Sequence, residues 1–544
     1  MPESPCAVSP RWGSFYFPQL THRLRGGLTS GRASGARTLV RSSVCSPYGG
    51  LLRPMQQTID SENPMSKTTH SINSTSAPKT NWPDYIDDFR QAGHETVDWI
   101  ARYLNTVSES PVLPQVKPGQ LFDSLPESAP VQGESFAAIL RDFDQLVMPA
   151  VTQWNHPRFF AYFACTGSTP AVLAEMLAAA LNTNGLHWKT SPAVAELEER
   201  TLDWLRQWLG LPEGWFGIVY DTASTSTMHA IVCARELVAP EARSEGSRGD
   251  LVVYTSAQSH NSVEKGAIAV GIGQNNVRKV PVDSEFRMRS DALAALLEQD
   301  KAAGKRPCCV VATVGTTSST SIDPVSEIVG IAEKHNVWVH IDAAYAGAAA
   351  ILPEHRHILS GAERAHSLVF NAHKWLLTPI DLSAFYTRRP DILRRAFSLS
   401  LDILKTHDDP RAHNLMDYGV PLGHRFRALK LWFVMRYFGR ERIEAMLRAH
   451  IQWAQQFAAL VDSHPDFERV APVPFSAVCF RYRGSDQDNQ AIQDKVNASG
   501  RVFLSGTVLN GKFVLRLAIG NLATKWEDVA EAWELVQRAA KDLP

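Results

Sequence analysis

The sequence predicts an α/β fold with a mostly parallel central sheet. From residue 250 onward, short apolar runs rich in valine and isoleucine occur at 251–254, 309–313, 337–341 and 368–370. These runs lack the polar alternation of a half-exposed strand, and unbroken apolar strands are typical of a parallel sheet covered on both faces. Helical patterns separate several of them, at 290–299 and 325–335.

The sequence before residue 210 is predicted to be mainly helical. Apolar residues at helical spacing predict an amphipathic first helix: Tyr85, Phe89, Val97 and Ile100. Three prolines in 111–118 exclude a helix there, and 136–147 is predicted to form the next one. Ser191 and Pro192 have the residue types of a helix cap and first turn, and Gly210 ends that helix.

The C-terminal part is predicted to form a smaller α+β domain. Helical patterns cover 425–438 and 440–460, apolar runs at 477–482 and 512–519 are predicted strands, and 525–541 is a closing helix.

Composition narrows the class of protein. The chain has 544 residues, 44% of them hydrophobic and 20% charged, with a net charge of -1. This balance does not favour a nucleic acid or an anionic membrane as partner, and no apolar run approaches the ~18 residues of a membrane span. The seven cysteines have no regular spacing, which favours a reducing compartment over a disulfide framework.

The first 64 residues differ from the rest. Before Asp60 the only acidic residue is Glu3, while arginine, serine and glycine are frequent. Such a segment has the composition of an organelle transit peptide. The composition is better explained as a stretch upstream of a true start at Met55 or Met65. In both cases we expect residues 1–78 to be disordered.

Polar residues follow four of the predicted strands. His260, Thr317, Asp342 and Lys374 each come shortly after an apolar run. Each has an ordinary explanation by itself, such as a turn or a helix cap. Ligands of α/β sheets bind outside the carboxyl ends of the strands, so the four residues are predicted to share one site.

This set of residue types predicts pyridoxal phosphate. A lysine behind a buried strand loses hydration, and the commonest use of such an amine is an imine with a carbonyl group. Asp342 would keep a pyridine nitrogen protonated, and His260 would lie on the ring face. The Ser/Thr-rich segment 221–227 precedes a predicted helix and suits a phosphate, although it also suits an ordinary helix cap.

Beyond these residues, the chain resembles the pyridoxal-phosphate-dependent group II decarboxylases of the aromatic-L-amino-acid decarboxylase type. The resemblance runs from about Tyr85 to the C-terminus. The segments that carry it are Pro157-Arg-Phe-Phe-Ala-Tyr-Phe163, Ser191-Pro-Ala193 with Glu196-Leu-Glu198, Ser259-His-Asn-Ser-Val-Glu264, Val311-Ala-Thr-Val-Gly-Thr-Thr317, His340-Ile-Asp-Ala-Ala-Tyr-Ala-Gly347, Asn371-Ala-His-Lys-Trp375, Pro421-Leu-Gly-His-Arg-Phe-Arg427 and Lys512-Phe-Val-Leu-Arg-Leu-Ala-Ile519.

The resemblance implies roles for individual residues. Lys374 would hold the cofactor covalently, Asp342 would pair with its ring nitrogen, and His260 would stack on the ring with Thr317 beside it. The residues implied at the phosphate are Ala223, Ser224, Ser367, Asn371 and His373. Those implied at the substrate are Tyr162, Phe163, Cys165, Ile380 and Gly423, with Asn184 and Leu186 supplied by the second subunit.

The resemblance also implies an architecture. This is the type I, aspartate aminotransferase-like fold, with a central, mostly parallel seven-stranded sheet. After the extension 1–78, we expect a helical dimerisation segment at 79–168, a large cofactor-binding α/β domain at 169–431 and a small α+β domain at 432–544. The family is cytoplasmic, and its homodimer shares each active site between subunits. No metal, nucleic acid or membrane partner is implied; His355 and His357 are taken as solvent-exposed.

The expected reaction is decarboxylation of an aromatic L-amino acid (tryptophan, dopa, tyrosine or phenylalanine class) to the amine. One residue departs from the family: Ile403 occupies the place of a loop tyrosine that delivers a proton. His407, Asp408 and Tyr418 are candidates to replace it. Relatives with phenylalanine at that place release an aromatic acetaldehyde, ammonia and hydrogen peroxide, which is the alternative. A binding protein without catalysis is a third hypothesis, disfavoured by the intact Lys374.

The preferred substrate is less determined. Gly423 falls where plant relatives with glycine accept an indole and those with serine a phenol. Ile380 and Leu186 replace residues that are aromatic in animal dopa decarboxylases, which predicts a wider or differently shaped pocket. Phe159, Phe160, Phe163 and Trp188 suit an aromatic substrate or plain core packing.

Overall fold

A seven-stranded sheet forms the centre of the fold. A computed structural model describes residues 85–163, 165–399 and 411–543. The strands are β1 (Phe216–Tyr220), β2 (Leu251–Ser256), β3 (Val277–Val280), β4 (Arg306–Thr313), β5 (Trp338–Asp342), β6 (Ser367–Phe370) and β7 (Ser383–Thr387). Their order is β1-β7-β6-β5-β4-β2-β3. Strands β2 to β6 are parallel, and β7 runs antiparallel to β6 and β1.

The apolar runs form strands because helices cover both faces of the sheet. Every residue of β2 and β5 is buried, as an α/β sheet requires. The prediction of a mostly parallel α/β sheet is therefore confirmed. Strands β1, β3 and β7 were not among the predicted runs.

The described residues form helices before, between and after the strands of this sheet in chain order. They are α1 (Tyr85–Thr106), α2 (Gln120–Ser124), α3 (Phe136–Asp142), α4 (Thr169–Leu181), α5 (Pro192–Leu209), α6 (Ala223–Val238), α7 (Ala242–Glu245), α8 (Ser262–Ala269), α9 (Ser290–Ala302), α10 (Val325–His335), α11 (Ala372–Trp375), α12 (Pro390–Phe397), α13 (Ala428–Ser463), α14 (Asp486–Ala498) and α15 (Trp526–Lys541).

Two helix predictions need correction in detail. The predicted helices 425–438 and 440–460 form one run, α13, broken at Gly439, whose φ of 65° is non-helical. Ser191 precedes α5 but does not cap it through its side chain. Its hydroxyl instead donates to the carbonyl of Asn184 at 2.7 Å, so it fixes the chain that enters the helix.

A four-stranded antiparallel sheet forms the C-terminal part. It contains β8 (Phe467–Arg469), β9 (Ala477–Tyr482), β10 (Ser505–Leu509) and β11 (Lys512–Ala518), in the order β10-β11-β9-β8. Phe457 of α13 and Trp533 of α15 pack on Phe480 in its core. The predicted α+β character is present here.

The domain boundaries at 168/169 and 431/432 stay predictions. The described residues from Thr96 onward form one structural unit, and residues 85–95 belong to another. The extension 1–78 lies outside the described residues. Within the part of the chain that the structure describes, no helix is long and apolar enough to cross a membrane.

Candidate active site

The four strand-end residues lie around one cavity of about 180 Å³. The predicted site residues that line it are Phe163, Ala223, Ser224, His260, Thr317, Asp342, Asn371, His373 and Lys374. They come from β-strand ends and from the start of α6. The parallel sheet brings them together because its strands end at the same edge.

Lys374 lies in α11, the single helical turn that follows β6. Burial lowers the pKa of its amine, and the charge of Arg516 lowers it further. Asp342 and Cys165 partly raise the pKa again. A lowered pKa increases the neutral fraction of the amine, which is the form that attacks a carbonyl carbon.

Asp342 is the last residue of β5, and its neighbours in register are Thr313 of β4 and Val369 of β6. It is 6% exposed. One carboxylate oxygen accepts the backbone N–H of Ala344 at 3.1 Å, which orients the group. The carboxylate therefore has a fixed place at the middle of the sheet edge.

His260 has a defined tautomer. Its Nδ1 accepts the backbone N–H of Ser262 at 3.1 Å, so the neutral ring carries its proton on Nε2. Burial lowers the pKa of His260, and the charge of Lys374 lowers it further, against the opposing effect of Asp342. A neutral imidazole can lie on a cationic ring without charge repulsion.

The start of α6 provides the donors that a phosphate needs. Thr222 precedes the helix without a side-chain cap, so the first-turn N–H groups near Ala223 and Ser224 are not satisfied by it. His373 Nδ1 accepts the N–H of Leu382 at 2.9 Å, which leaves the proton on Nε2. Burial lowers the pKa of His373 to about 3, so the ring stays neutral.

An unsatisfied polar atom supports a missing ligand. The side-chain oxygen of Asn371 is buried without a hydrogen-bond partner, and such atoms are rare in native structures. The amine, the carboxylate, the helix start and this amide fit pyridoxal phosphate as a set.

One predicted phosphate residue lies elsewhere. Ser367 is the first residue of β6, at the end of the strand opposite Lys374. Its hydroxyl accepts the indole N–H of Trp338 at 2.9 Å and lies 2.9 Å from His340 Nδ1. The structure therefore gives Ser367 a place in the core and not at the cavity.

Two predicted substrate residues lie beside the cavity. The ring of Tyr162 packs on Phe159 and Phe503, with centroid distances of 6.2 and 6.0 Å. Burial raises the pKa of the Cys165 thiol, and the charge of Lys374 partly offsets this. Neither residue is among those that line the cavity.

Three further predicted substrate residues form a separate patch, which we call the 184–423 patch: Asn184, Leu186 and Gly423. Asn184 accepts the N–H of His424 at 2.9 Å, and a Cβ at Gly423 would lie 3.6 Å from Asn184. His424 bonds Glu198 at 2.7 Å. Ile380 lies on another loop and is 65% exposed.

Only one candidate proton donor, Tyr418, belongs to the described residues. Ile403, His407 and Asp408 lie outside the described residues. Tyr418 packs on Phe216 with a centroid distance of 4.7 Å, and it does not line the cavity.

Sequence reasoning missed an aromatic wall behind Lys374. Phe163 stacks on Tyr345 at 3.8 Å, and Tyr345 stacks on Trp375 at 5.1 Å. The Tyr345 hydroxyl lies 2.6 Å from that of Ser476. The position of Tyr345, three residues after Asp342, was the available signal.

The fold and the site together define a class: an enzyme that binds pyridoxal phosphate at the edge of a mostly parallel sheet. Residues 118–483 match the family model described as the pyridoxal-dependent decarboxylase conserved domain. The match covers more than half of the chain. The chain belongs to this family and is a pyridoxal-phosphate-dependent carboxy-lyase.

Individual relatives cover nearly the whole of the organised chain. The aromatic-L-amino-acid decarboxylase of Sus scrofa is 41% identical over 474 residues, 84% of this chain and 97% of that protein. The phenylacetaldehyde synthase of Arabidopsis thaliana is 40% identical over 477 residues, 84% of this chain and 96% of that protein. A crystal structure of Oryza sativa TDC with PLP and tryptamine has a TM-score of 0.82 and 35% identity, and the match covers 86% of this chain and 99% of that one.

Proposed function

We propose that the protein decarboxylates an aromatic L-amino acid to the corresponding amine and carbon dioxide. The observation that carries this proposal is the convergence of Lys374, Asp342 and His260 on one cavity, beside the aromatic ring of Phe163. The similarity to an aromatic-L-amino-acid decarboxylase supports the substrate class.

When bound, pyridoxal phosphate supplies an acceptor for the electrons released as the bond to the substrate carboxylate breaks. Lys374 would hold it through the amine, and Asp342 would keep a proton on its ring nitrogen. The neutral ring of His260 would fix its plane. The start of α6, with Ser224, would hold the phosphate.

The chain's other residues would shape the substrate side. Phe163 and Tyr345 form a flat apolar wall beside Lys374, since their rings stack at 3.8 Å and the amine lies 5.4 Å from the Phe163 ring. Such a wall excludes water from the amine and offers an aromatic surface to an aromatic side chain.

Product analysis tests the proposal. The holoenzyme is incubated with L-tryptophan, L-dopa, L-tyrosine or L-phenylalanine, and carbon dioxide, amine, aldehyde and peroxide are measured. We expect carbon dioxide and amine in equal amounts from at least one of them. A normal cofactor absorbance without carbon dioxide from any of the four would contradict the proposal and favour a binding protein.

A second candidate is the aldehyde synthase reaction, in which the amino acid, oxygen and water are consumed and aldehyde, carbon dioxide, ammonia and hydrogen peroxide are released. Ile403 favours it, because isoleucine cannot donate a proton, and a positioned acid typically contributes ~10²–10⁴ in rate. The similarity to phenylacetaldehyde synthase also favours it.

The variant Ile403→Tyr separates the two reactions, with Ile403→Val as the matched control. If the wild type makes aldehyde, the tyrosine variant should raise the ratio of amine to peroxide by at least about tenfold, in line with the contribution of a positioned acid. If the ratio of amine to peroxide is the same in Ile403→Tyr as in the wild type, residue 403 does not control which product forms.

We also propose that the enzyme is a homodimer, with each site shared between subunits. Leu173, Leu177 and Leu181 of α4 are 49%, 49% and 63% exposed, and α4 leads directly into Asn184 of the 184–423 patch. An exposed apolar face of this kind marks a contact surface. Sedimentation should give a dimer for the wild type, and Leu177→Glu with Leu181→Glu should give monomers. A monomeric wild type would contradict the proposal.

We propose a cytoplasmic location for this dimer. The described residues hold five cysteines without a disulfide: Cys165, Cys233, Cys308, Cys309 and Cys479. A reducing compartment suits them. Fractionation of cells that express the full chain tests this, and recovery in an organelle would contradict it.

A further inference from the structure

Three neighbouring residues of the C-terminal sheet reach towards the active site. Ser505 of β10 is paired in register with Arg516 of β11, and Arg516 is paired with Cys479 of β9. We call this cross-strand set the clamp row. All three side chains contact backbone atoms of segments that adjoin the cavity.

The first contact holds the segment that carries Phe163. Ser505 Oγ accepts the N–H of Tyr162 at 3.2 Å, and the guanidinium of Arg516 donates to the carbonyl of Tyr162. Tyr162 has a φ of 51°, a left-handed conformation that a non-glycine residue adopts only when its surroundings hold it there. Two members of the clamp row thus hold both polar groups of this strained residue.

The second contact holds the segment that carries Thr317. The carbonyl of the next residue, Ser318, accepts Arg516 Nε at 3.1 Å and the thiol of Cys479 at 3.1 Å. The Ser318 hydroxyl lies 2.9 Å from that of Thr507 in β10. The same small sheet therefore fixes both segments.

Arg516 also lies near the reacting amine. Its guanidinium carbon is 4.4 Å from the centre of the Phe163 ring, and Lys374 Nζ is 5.4 Å from the same centre. Arg516 is 3% exposed, and no carboxylate among the described residues forms an ion pair with it. Burying a cation is costly, and carbonyls and an aromatic face provide the compensation here.

We propose that the clamp row is a positioning device, in which Arg516, with Ser505 and Cys479, sets Phe163 and Thr317 against the cofactor held by Lys374. This inference rests on the proposed function only in taking the Lys374 cavity as the cofactor site. Nε and Nη1 of Arg516 bond the two backbone carbonyls, and Nη2 is buried without a hydrogen-bond partner among the described residues. The proposal assigns the function of the arginine to the two bonded segments, and the KM of its variants tests whether Nη2 binds substrate instead.

Cofactor binding to the apoenzyme is the first test, because it does not depend on which product forms. Loss of hydrogen bonds from a charged group should raise the dissociation constant of pyridoxal phosphate about 10–100-fold in Arg516→Lys and Arg516→Gln. Arg481→Lys is the matched control: among the described residues, this buried arginine of β9 bonds Gly484 and Asp486, which lie beside the C-terminal sheet. It should leave the constant unchanged.

The visible absorbance of the bound cofactor is the second readout. The titratable and charged groups around the Lys374 amine are Asp342, Cys165, His260, His373 and Arg516. Removing the cation in Arg516→Gln should move the pH midpoint of the absorbance upward, and Arg516→Lys should leave it in place. If Arg516 had only a structural role, the variants Arg516→Gln and Arg516→Lys would have the same pH midpoint.

Ser505→Ala tests the clamp row without removing a buried charge, so this variant should fold even if the arginine variants do not. It should weaken cofactor binding several-fold and lower kcat with little change in KM. Unchanged cofactor binding in Ser505→Ala and in a folded Arg516→Lys would overturn the proposal. A rise in the KM of a folded Arg516→Lys, without a change in cofactor binding or kcat, would also overturn the proposal, because it would make Arg516 a substrate ligand. If the wild type binds the cofactor normally but does not decarboxylate any substrate, the proposed function is refuted. The clamp row is still tested in that case, because its first readout is the dissociation constant of the cofactor.

Discussion

The cavity around Lys374 and the 184–423 patch differ in how complete they are. The cavity draws Lys374, Asp342 and Asn371 from the ends of buried strands. The patch lies at the surface, and next to it Val420 and Leu422 are 66% and 53% exposed. One chain therefore builds the groups that would hold the cofactor, whereas Asn184 and Gly423, two of the residues expected at the substrate, are exposed, as the proposed homodimer requires.

The largest effect should come from the cavity itself. Lys374→Ala should lower kcat by ~10⁴-fold or more, because the variant loses both the covalent attachment and a positioned base. The absorbance of the lysine-bound cofactor should vanish as well. Lys301→Ala, at an exposed lysine of α9, is the control and should retain both. Retained activity in Lys374→Ala would place the chemistry elsewhere.

Asp342→Asn should have the next largest effect. It keeps the shape of the side chain and removes the charge that would pair with the ring nitrogen, so kcat should fall roughly 10²–10³-fold, as for loss of one electrostatic stabiliser. Cofactor should still bind covalently, which absorbance checks. The exposed pair of Asp291 with Arg289 offers a control, Asp291→Asn. Equal losses in both variants would remove the special role of Asp342.

A change in the patch should alter selectivity and spare the chemistry. Gly423→Ser adds a hydroxymethyl group beside Asn184, because a Cβ at residue 423 would lie 3.6 Å from the Asn184 side chain. We expect the ratio of kcat/KM for L-tryptophan to that for L-tyrosine to fall about tenfold, since one small group in a pocket is worth that order. If kcat falls for every substrate and the ratio does not change, the 184–423 patch contributes to catalysis and not to substrate selectivity.

The smallest expected effect concerns pH. The positive charge of Lys265 contributes to the lowered pKa of His260, so Lys265→Gln should raise that pKa. The acid limb of the kcat/KM profile, where His260 becomes charged, should then move to higher pH by a fraction of a unit. The shift should shrink at high salt, because the lysine is exposed and its charge is screened. An unmoved limb would mean that it reports another group.

The strand ends explain why much of the site was visible in the sequence. Apolar runs located β2, β4, β5 and β6, and Lys374 and Asp342 were found because they follow two of them. The runs at β1, β3 and β7 were missed because glycine, charged residues or serine and threonine interrupt their apolar pattern. Gly217 of β1 has no side chain since a Cβ there would lie 3.0 Å from Leu202, so close packing of α5 replaces the apolar signal.

Contacts between distant segments explain what remained hidden. Arg516 bonds Tyr162 across 354 residues, and no spacing rule connects two such positions. A charged residue within the apolar strand 512–519 was a signal of a buried role, but not of its target. Ser367 was wrongly expected at the phosphate although it is close to Lys374 in sequence. It is the first residue of β6 and Lys374 follows the last, so its hydroxyl lies at the far end of the strand, where it accepts the indole N–H of Trp338.

The order of strands has a consequence for synthesis on the ribosome. β1 lies at the edge of the sheet, and its one neighbour is β7. Ser383, which pairs with Tyr220, is made about 160 residues later, so at ~5–20 residues per second roughly 8–30 s pass before pairing begins. During that time β1 is an unpaired edge, open to wrong partners. The first strand of the sheet to be made is therefore paired only after the last strand of the same sheet, β7, has been made.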